Sequence, residues 1–450
     1  MRIHFISIGG SAMHNLAIAL HLNGHQISGS DDGIFEPSLS RLIGYGLLPP
    51  SIGWFPDKIT DEIDAVILGM HAEADNPELL EAQKRNIPVY SFPAYLYEHS
   101  KNKLRVVVSG SHGKTTITAM IVQVLKYAGI DADFLVGDKV EGFDVMVKLS
   151  PEAKFMILEG DEYLTSPIDL QPKFFHYQPH IAVISGIAWD HLEAFPTFEN
   201  YASQFRLFIR MLNPEGLLFY CEDDPVLKRI IEDEGVNAIG YSVHPYEIKD
   251  GVTQLIQEEG TSYPLKIFGM HNLANLNAAL MVCKELGVEE DVFYKAISTF
   301  KGVSRRIELI ASKDNSFIYR DFAHAPSKVR ATSSALRQQY PDHNLILCYE
   351  LRTFSSLSDS FIDQYSGSLD CGDLAVIFYD PKIVHHKGLP LMSNERILEG
   401  FSNDTIQIFS NRDEMIDFIK SNTISPFVLA LMTPINFDGL NWNEIGTMLF

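Results

Sequence analysis

Cysteine is scarce in this sequence, with four in 450 residues. Cys221, Cys283, Cys348 and Cys371 form no Cys-x-x-Cys pair. This excludes the common zinc and dithiol patterns and points to reduced core thiols in a cytoplasmic protein. Positive charge is also short: 36 Lys and Arg stand against 58 Asp and Glu, a formal net charge of −22. Such a surface repels nucleic acid and anionic membranes, so neither is an expected partner. An anionic substrate would need a local pocket of backbone N–H groups, a few Lys or Arg side chains and metal ions. No run of about 20 apolar residues occurs, so no membrane insertion is expected. The apolar N-terminal stretch is broken by Gly9, Gly10, His14 and Asn15. It lacks a cleavage signature, and no secretory leader is expected. Repeats and low-complexity tracts are absent too.

What remains has the composition of a globular protein, 46% hydrophobic and 21% charged. At about 150 residues per domain, its length predicts about three domains. Residues 2–8 form a buried apolar run, 12–22 are apolar at helical spacing, and 27–31 form a second short run ending in Asp31. Residues 65–69 and 77–85 repeat the strand–helix pattern. This alternation predicts a Rossmann-like parallel α/β domain over 1–103. A second α/β domain, of P-loop ATPase type, is expected over 104–308. Its strands are 105–110, 155–159, 181–185 and 216–221, with helices at 114–128 and 275–286 and a hairpin within 251–268. Strands at 316–321, 345–350, 374–379 and 427–432, with helices at 328–339 and 412–420, predict a third, Rossmann-like α/β domain over 309–450. Residues 310–313 are the expected hinge.

The strongest chemical signal is Val106-Val107-Val108-Ser109-Gly110-Ser111-His112-Gly113-Lys114-Thr115-Thr116. A buried strand runs into a glycine-bearing loop, and Lys-Thr-Thr opens a helix. Glycines let backbone N–H groups of Gly110, Ser111, His112 and Gly113 face phosphate oxygens, and the helix N-terminus adds partial positive charge. Lys114 can then reach the β- and γ-phosphates, and the hydroxyl of Thr115 can ligate Mg²⁺, with Thr116 beside it. These features predict ATP as ligand.

The spacing G-x-x-G-K-T-T, with Val108 in place of the usual first glycine, resembles that of the Mur ligases and their folylpolyglutamate synthetase relatives. Further segments resemble the same family in order along the chain. Leu158-Glu159-Gly160-Asp161-Glu162 is similar to its E-x-D-E segment, which implies a magnesium-holding Glu159; alone it would read as a solvated acidic turn. Ala188-Trp189-Asp190-His191 resembles its D-H segment, with Gly186 at the usual Asn position, and implies His191 as a second metal ligand. Gly269-Met270-His271-Asn272-Leu273-Ala274-Asn275 implies that Asn272 bonds the adenine, while Asn275 alternatively caps the next helix. Ser304-Arg305-Arg306-Ile307-Glu308 implies Arg306 on the ATP phosphates, against the alternative of a surface salt bridge. Asp321-Phe322-Ala323-His324-Ala325-Pro326 implies Asp321 on the ribose and His324 on the phosphate side of the cleft, with Pro326 starting a helix.

At the N-terminus Gly9, Gly10, Ser11 and Met13, then Ser30 and Asp31, resemble the uridine-nucleotide site, with Ser7 at the family's first glycine. These glycines alternatively only permit tight strand–helix packing. His71 lies where the family runs past the diphosphate. Ser203-Gln204-Phe205-Arg206 contains no lysine where some branches carry a carbamoylated one, which favours the branch using UDP-N-acetylmuramate itself. Within it the amine is L-alanine or the tripeptide L-alanyl-γ-D-glutamyl-meso-diaminopimelate. Residues 30–38, Gly160-Asp161-Glu162-Tyr163 with Lys173-Phe174-Phe175-His176-Tyr177, and residues 300–306 resemble the tripeptide-using branch, which recycles peptidoglycan. Arg352 is a candidate grip on the amine's carboxylate, or a solvated loop residue. Catalysis would fall to Lys114, Glu159 and His191. A folylpolyglutamate-type ligase would lack the extra N-terminal domain. A non-catalytic nucleotide-binding protein has no need of Lys114, Thr115, Glu159 and His191 together, and no lid arginine cluster marks a P-loop kinase.

Overall fold

The computed structural model describes residues 1–70, 72–166, 168–189, 194–257 and 259–450. The chain separates into two compact units, one of residues 1–187, 199–242 and 278–296, the other of 188–198, 243–277 and 297–450.

The first unit contains two α/β sheets. Four parallel strands lie in the order Gln26–Ser30, Arg2–Ile6, Ala65–Leu68, Val89–Ser91. The strand Ala65–Leu68 is buried throughout, as expected for parallel strands covered on both faces. The helix Ser11–Leu22 follows the first strand directly. The turn between them places Ser7 at φ 68°, a left-handed conformation that costs a non-glycine residue free energy. This is the position where the resembling family carries glycine.

The second sheet has seven strands in the order Ala238–Tyr241, Leu217–Cys221, Ile181–Ile184, Leu104–Ser109, Phe155–Glu159, Ala132–Leu135, Val147–Lys148. All pair in parallel except the last. Leu104–Ser109 is central and apolar, and it delivers the glycine loop to the helix Lys114–Tyr127 at the carboxyl end of the sheet. That is where open α/β sheets bind ligands.

The second unit is built on six strands in the order Glu308–Lys313, Ser316–Asp321, Phe427–Met432, Asn344–Leu351, Leu374–Tyr379, Gln407–Phe409. Only the first pair is antiparallel. A three-stranded antiparallel sheet, Tyr246–Lys249, Val252–Ile256 and Ser262–Pro264, also belongs to this unit. It replaces the single hairpin expected there.

Two expectations fail here. Residues 310–313 are no hinge: they sit in the edge strand Glu308–Lys313, hydrogen-bonded to Ser316–Asp321. The helix expected from residue 275 begins at Met270, so Asn275 lies inside it and cannot be its cap. Pro326 does open the helix Pro326–Gln339, where its missing N–H costs nothing. Among the described residues no helix is long and apolar enough to cross a membrane.

Candidate active site

The glycine loop is shaped by a close approach of two strand ends. Gly110 has φ 120°, and a Cβ on it would collide with Ser185 Oγ and lie 2.8 Å from the Ser185 backbone nitrogen. No side chain fits. The Ser111 N–H donates to the Gly186 carbonyl at 3.0 Å, and Ser185 Oγ donates to the carbonyls of Ser109 and His112. Gly113, at φ 78°, leads into the helix opened by Lys114.

Lys114 Nζ donates to the Gly110 carbonyl and to Glu162 Oε2, each at 2.7 Å. Burial alone would lower its pKa, but the charges of Glu162, Asp161 and Glu159 hold it above the ordinary lysine value. Glu162 also accepts from the Tyr201 hydroxyl at 3.1 Å, and that hydroxyl lies 2.7 Å from Ser111 Oγ. One buried carboxylate therefore ties the lysine and, through Tyr201, the loop.

Glu159 ends the neighbouring strand. Its Oε1 accepts from Thr115 Oγ1 at 2.7 Å, and its Oε2 from the Gly137 N–H at 2.5 Å. A Cβ on Gly137 would come within 2.8 Å of that carboxylate, so glycine permits the contact. Burial, then the charge of Asp161, pushes the Glu159 carboxyl up to about 7. Asp161 is held below the usual carboxylate range: burial would raise it, but Lys173 and Lys114 prevail.

Along the N-terminal sheet, Asp31 Oδ2 accepts from the Gly9 N–H at 2.7 Å and its Oδ1 from the Gly33 N–H at 3.1 Å. Ser30 is buried, and its Oγ accepts from Lys58 Nζ at 3.0 Å. A cavity of about 300 Å³ within this unit is lined on one side by Gly10, Ser11 and Met13 and on another by Glu159 and Asp161. The glycine turn and the acidic segment thus share one wall system.

In the second unit, Asp321 is buried at the end of its strand. Its Oδ2 accepts from the Ile307 N–H at 2.7 Å, and its Oδ1 from the Ala323 N–H at 2.6 Å and Thr332 Oγ1 at 3.2 Å. The guanidinium groups of Arg305 and Arg306 lie over the Phe322 ring at 4.8 and 4.9 Å. His324 Nδ1 bonds the Phe322 carbonyl at 2.9 Å, and its own carbonyl accepts from the hydroxyls of Tyr349 and Tyr365. Asn272 Nδ2 donates to the Phe268 carbonyl at 2.9 Å. Arg352 Nη1 pairs with the buried Glu350 at 3.2 Å.

The Mur ligase middle-domain model matches residues 108–283, and the model described as the Mur ligase family catalytic domain matches 2–104. A UDP-N-acetylmuramate–L-alanine ligase of Aquifex aeolicus is 31% identical over 459 residues, covering 97% of this chain and 98% of that protein. This chain belongs to the Mur ligase family. Its members are ATP-dependent ligases that form carbon–nitrogen bonds, and this is the enzyme class of the chain. Among solved structures, the UDP-N-acetylmuramate:L-alanyl-γ-D-glutamyl-meso-diaminopimelate ligase from Neisseria meningitides is 27% identical. It has a TM-score of 0.61 and covers 68% of this chain and 99% of its own. A murein peptide ligase from Psychrobacter arcticus shares the fold, with a TM-score of 0.65 and 23% identity, covering 100% of this chain and 98% of its own.

The structure thus gathers Gly110, Ser111, His112, Gly113, Lys114, Thr115 and Glu159 at one sheet end, with Thr116 buried on the same helix. His71 and His191 lie outside the described residues. Asn272, Arg306, Asp321, His324 and Arg352 fall in the second unit. Two carboxylates expected on ligands, Asp31 and Asp321, are spent largely on backbone N–H groups. Arg352, open between a grip and a solvated residue, is half-buried and paired with Glu350. Sequence reasoning missed Glu162, Tyr201 and Lys58. Glu162 stood inside the quoted acidic segment, but no local signal marks the other two.

Proposed function

We propose that the chain joins the carboxylate of UDP-N-acetylmuramate to the amine of L-alanyl-γ-D-glutamyl-meso-diaminopimelate through an acyl phosphate made from ATP, in cytoplasmic peptidoglycan recycling. The observation that carries the ligase chemistry is the 2.7 Å contact of Thr115 with Glu159 beside Lys114. A hydroxyl beside a buried carboxylate forms an oxygen donor set suited to magnesium. Thr115, Glu159 and His191 would hold that ion, which neutralises charge on the transferring phosphoryl group. Among the described residues no three His, Cys, Asp or Glu side chains gather around one point.

In this reading residues 1–103 bind the UDP-sugar, 104–308 bind ATP, and 309–450 bind the amine and close on the nucleotide. Lys114 and the loop N–H groups offset the negative charge that keeps carboxylate and triphosphate apart. Arg306 adds charge from the end of the ATP-binding segment, Asn272 the adenine contact and Asp321 the ribose contact. Closure excludes water from the acyl phosphate. The amine nitrogen then attacks the acyl carbon, its proton passes to a general base, and phosphate leaves.

The tripeptide is supported by the segments around Tyr163 and Lys173 and by the Neisseria relative. A second reading, with L-alanine as the amine, is favoured by the near-complete alignment with the Aquifex aeolicus ligase. ADP release with Mg²⁺, ATP and UDP-N-acetylmuramate, offering each amine separately, decides between them. Turnover with the tripeptide alone supports the proposal, and turnover with L-alanine alone supports the second reading. Silence with both overturns each.

A further inference from the structure

We infer that Lys173 and Thr165 form the subsite for the carboxylate-bearing end of the nucleotide-linked acid, an assignment that rests on the ligase reading above. The cavity between the N-terminal glycine turn and the acidic segment has two carboxylates in its wall, Glu159 and Asp161. Among the described residues lining it, Lys173 is the one cation. In a chain of net charge −22, an anion entering this space meets repulsion unless Lys173 receives it.

The placement of Lys173 is built in by backbone. Strands Leu164–Ser166 and Asp169–Pro172 pair antiparallel. The Lys173 N–H donates to the Tyr163 carbonyl and the Phe174 N–H to the Asp161 carbonyl, each at 3.1 Å. The ammonium then stands 4.1 Å from the Tyr163 ring centroid and 3.3 Å from Asp161 Oδ2. Its side chain is 12% exposed. Charge-assisted pairs normally close to about 2.7–2.9 Å, so the contact with Asp161 is a loose one. A ligand carboxylate can improve on it without displacing the aromatic contact.

Thr165 supplies the second, independent observation. It is 2% exposed and lines the same cavity, and its hydroxyl has no hydrogen-bond partner in the structure. Buried hydroxyls are nearly always bonded, and an orphan facing a cavity is the atom a ligand would satisfy. The rest of the wall includes Met13, Phe92, Leu135 and Val147, which suits an organic body. Two wall carboxylates against one lysine favour a single negative charge over a polyphosphate. The matching ligand is a monocarboxylate on a sugar-sized scaffold with a neutral hydrogen-bonding group. The subsite would hold the reacting carboxylate beside Glu159 and the phosphate loop.

Calorimetric binding to the full chain tests this, using UDP-N-acetylmuramate and UDP-N-acetylglucosamine, which lacks the lactyl carboxylate. Lys173→Gln should weaken UDP-N-acetylmuramate about tenfold or more and leave UDP-N-acetylglucosamine and ATP within about threefold of wild type. Lys173→Arg should recover part of the loss. Thr165→Val, of nearly the same shape, should weaken UDP-N-acetylmuramate about threefold to tenfold. An unchanged melting temperature excludes misfolding as the cause. Unchanged binding in both variants, or equal losses for the two sugars in Lys173→Gln, overturns the subsite alone. Failure of the wild type to bind UDP-N-acetylmuramate overturns the function reading with it.

Discussion

Replacing Glu159 by Gln should stabilise the metal-free protein at alkaline pH and leave it nearly unchanged at acid pH. The Glu159 carboxyl rises from 4.5 to about 7 in the folded chain, through burial and then the charge of Asp161. A folded-state pKa above the unfolded one means that the native protein holds the proton more tightly. Stability is then full below about pH 4.5 and falls as pH rises towards 7. At 1.36 kcal/mol per pKa unit, the loss is about 3 kcal/mol once the carboxylate ionises. Gln keeps the geometry, because its carbonyl can accept from Gly137 while the Thr115 hydroxyl rotates to accept from its amide. In EDTA, thermal unfolding should show a small difference between wild type and variant at pH 5. At pH 8.5 the variant should be higher by about 6–12 °C, at 2–4 °C per kcal/mol for a unit of this size. Magnesium should narrow the gap by binding only the wild-type carboxylate. A variant that melts lower than wild type at pH 8.5, or by the same difference at both pH values, would refute the reasoning.

Gly110→Ala should destabilise the first unit by roughly 2–5 kcal/mol, combining backbone strain with overpacking against Ser185, and abolish ADP release; denaturant titration and a coupled assay check both. Tyr201→Phe removes the bridge from Ser111 to Glu162 and should cost about 1–3 kcal/mol; an unfolding midpoint equal to wild type would show the bridge to be idle. Glu78 is buried and bonds His4 at 3.1 Å and the Phe55 N–H at 2.7 Å. Glu78→Ala should cost about 3 kcal/mol at pH 7. Although burial would raise the Glu78 pKa, the bonds from His4, Ser30 and Phe55 lower it. Its stabilisation is therefore present above the unfolded value of 4.5 and lost as pH falls through the folded one, so the gap between Glu78→Ala and wild type, read by denaturant titration, should shrink as the pH is taken below 4.5.

The sequence by itself determined the features whose physics is short-range. A buried strand, a glycine turn and a helix opened by Lys114-Thr115-Thr116 are encoded within eleven residues, and the structure places them at one sheet end. Strands Phe155–Glu159, Leu374–Tyr379 and Phe427–Met432 were legible to the residue, because continuous apolar runs bounded by polar residues leave one register for a buried strand. Boundaries failed where local signals competed: Asn275 looks like a cap but lies a turn inside its helix, and residues 310–313 look like a hinge but are hydrogen-bonded as an edge strand. Only the tertiary structure decided who bonds whom. Asp31 and Asp321 follow strands as ligand-binding acids would, yet the backbone N–H groups of Gly9, Gly33, Ile307 and Ala323 take up their oxygens. Glu162 reaches Lys114 and Tyr201 because sheet order sets the strand Phe155–Glu159 beside Leu104–Ser109. Lys173 faces Tyr163 because the strands Leu164–Ser166 and Asp169–Pro172 pair antiparallel. Charge and hydrogen bonds act over a few ångströms, and which distant residues come within that range depends on strand order and turn geometry, which no local pattern specifies.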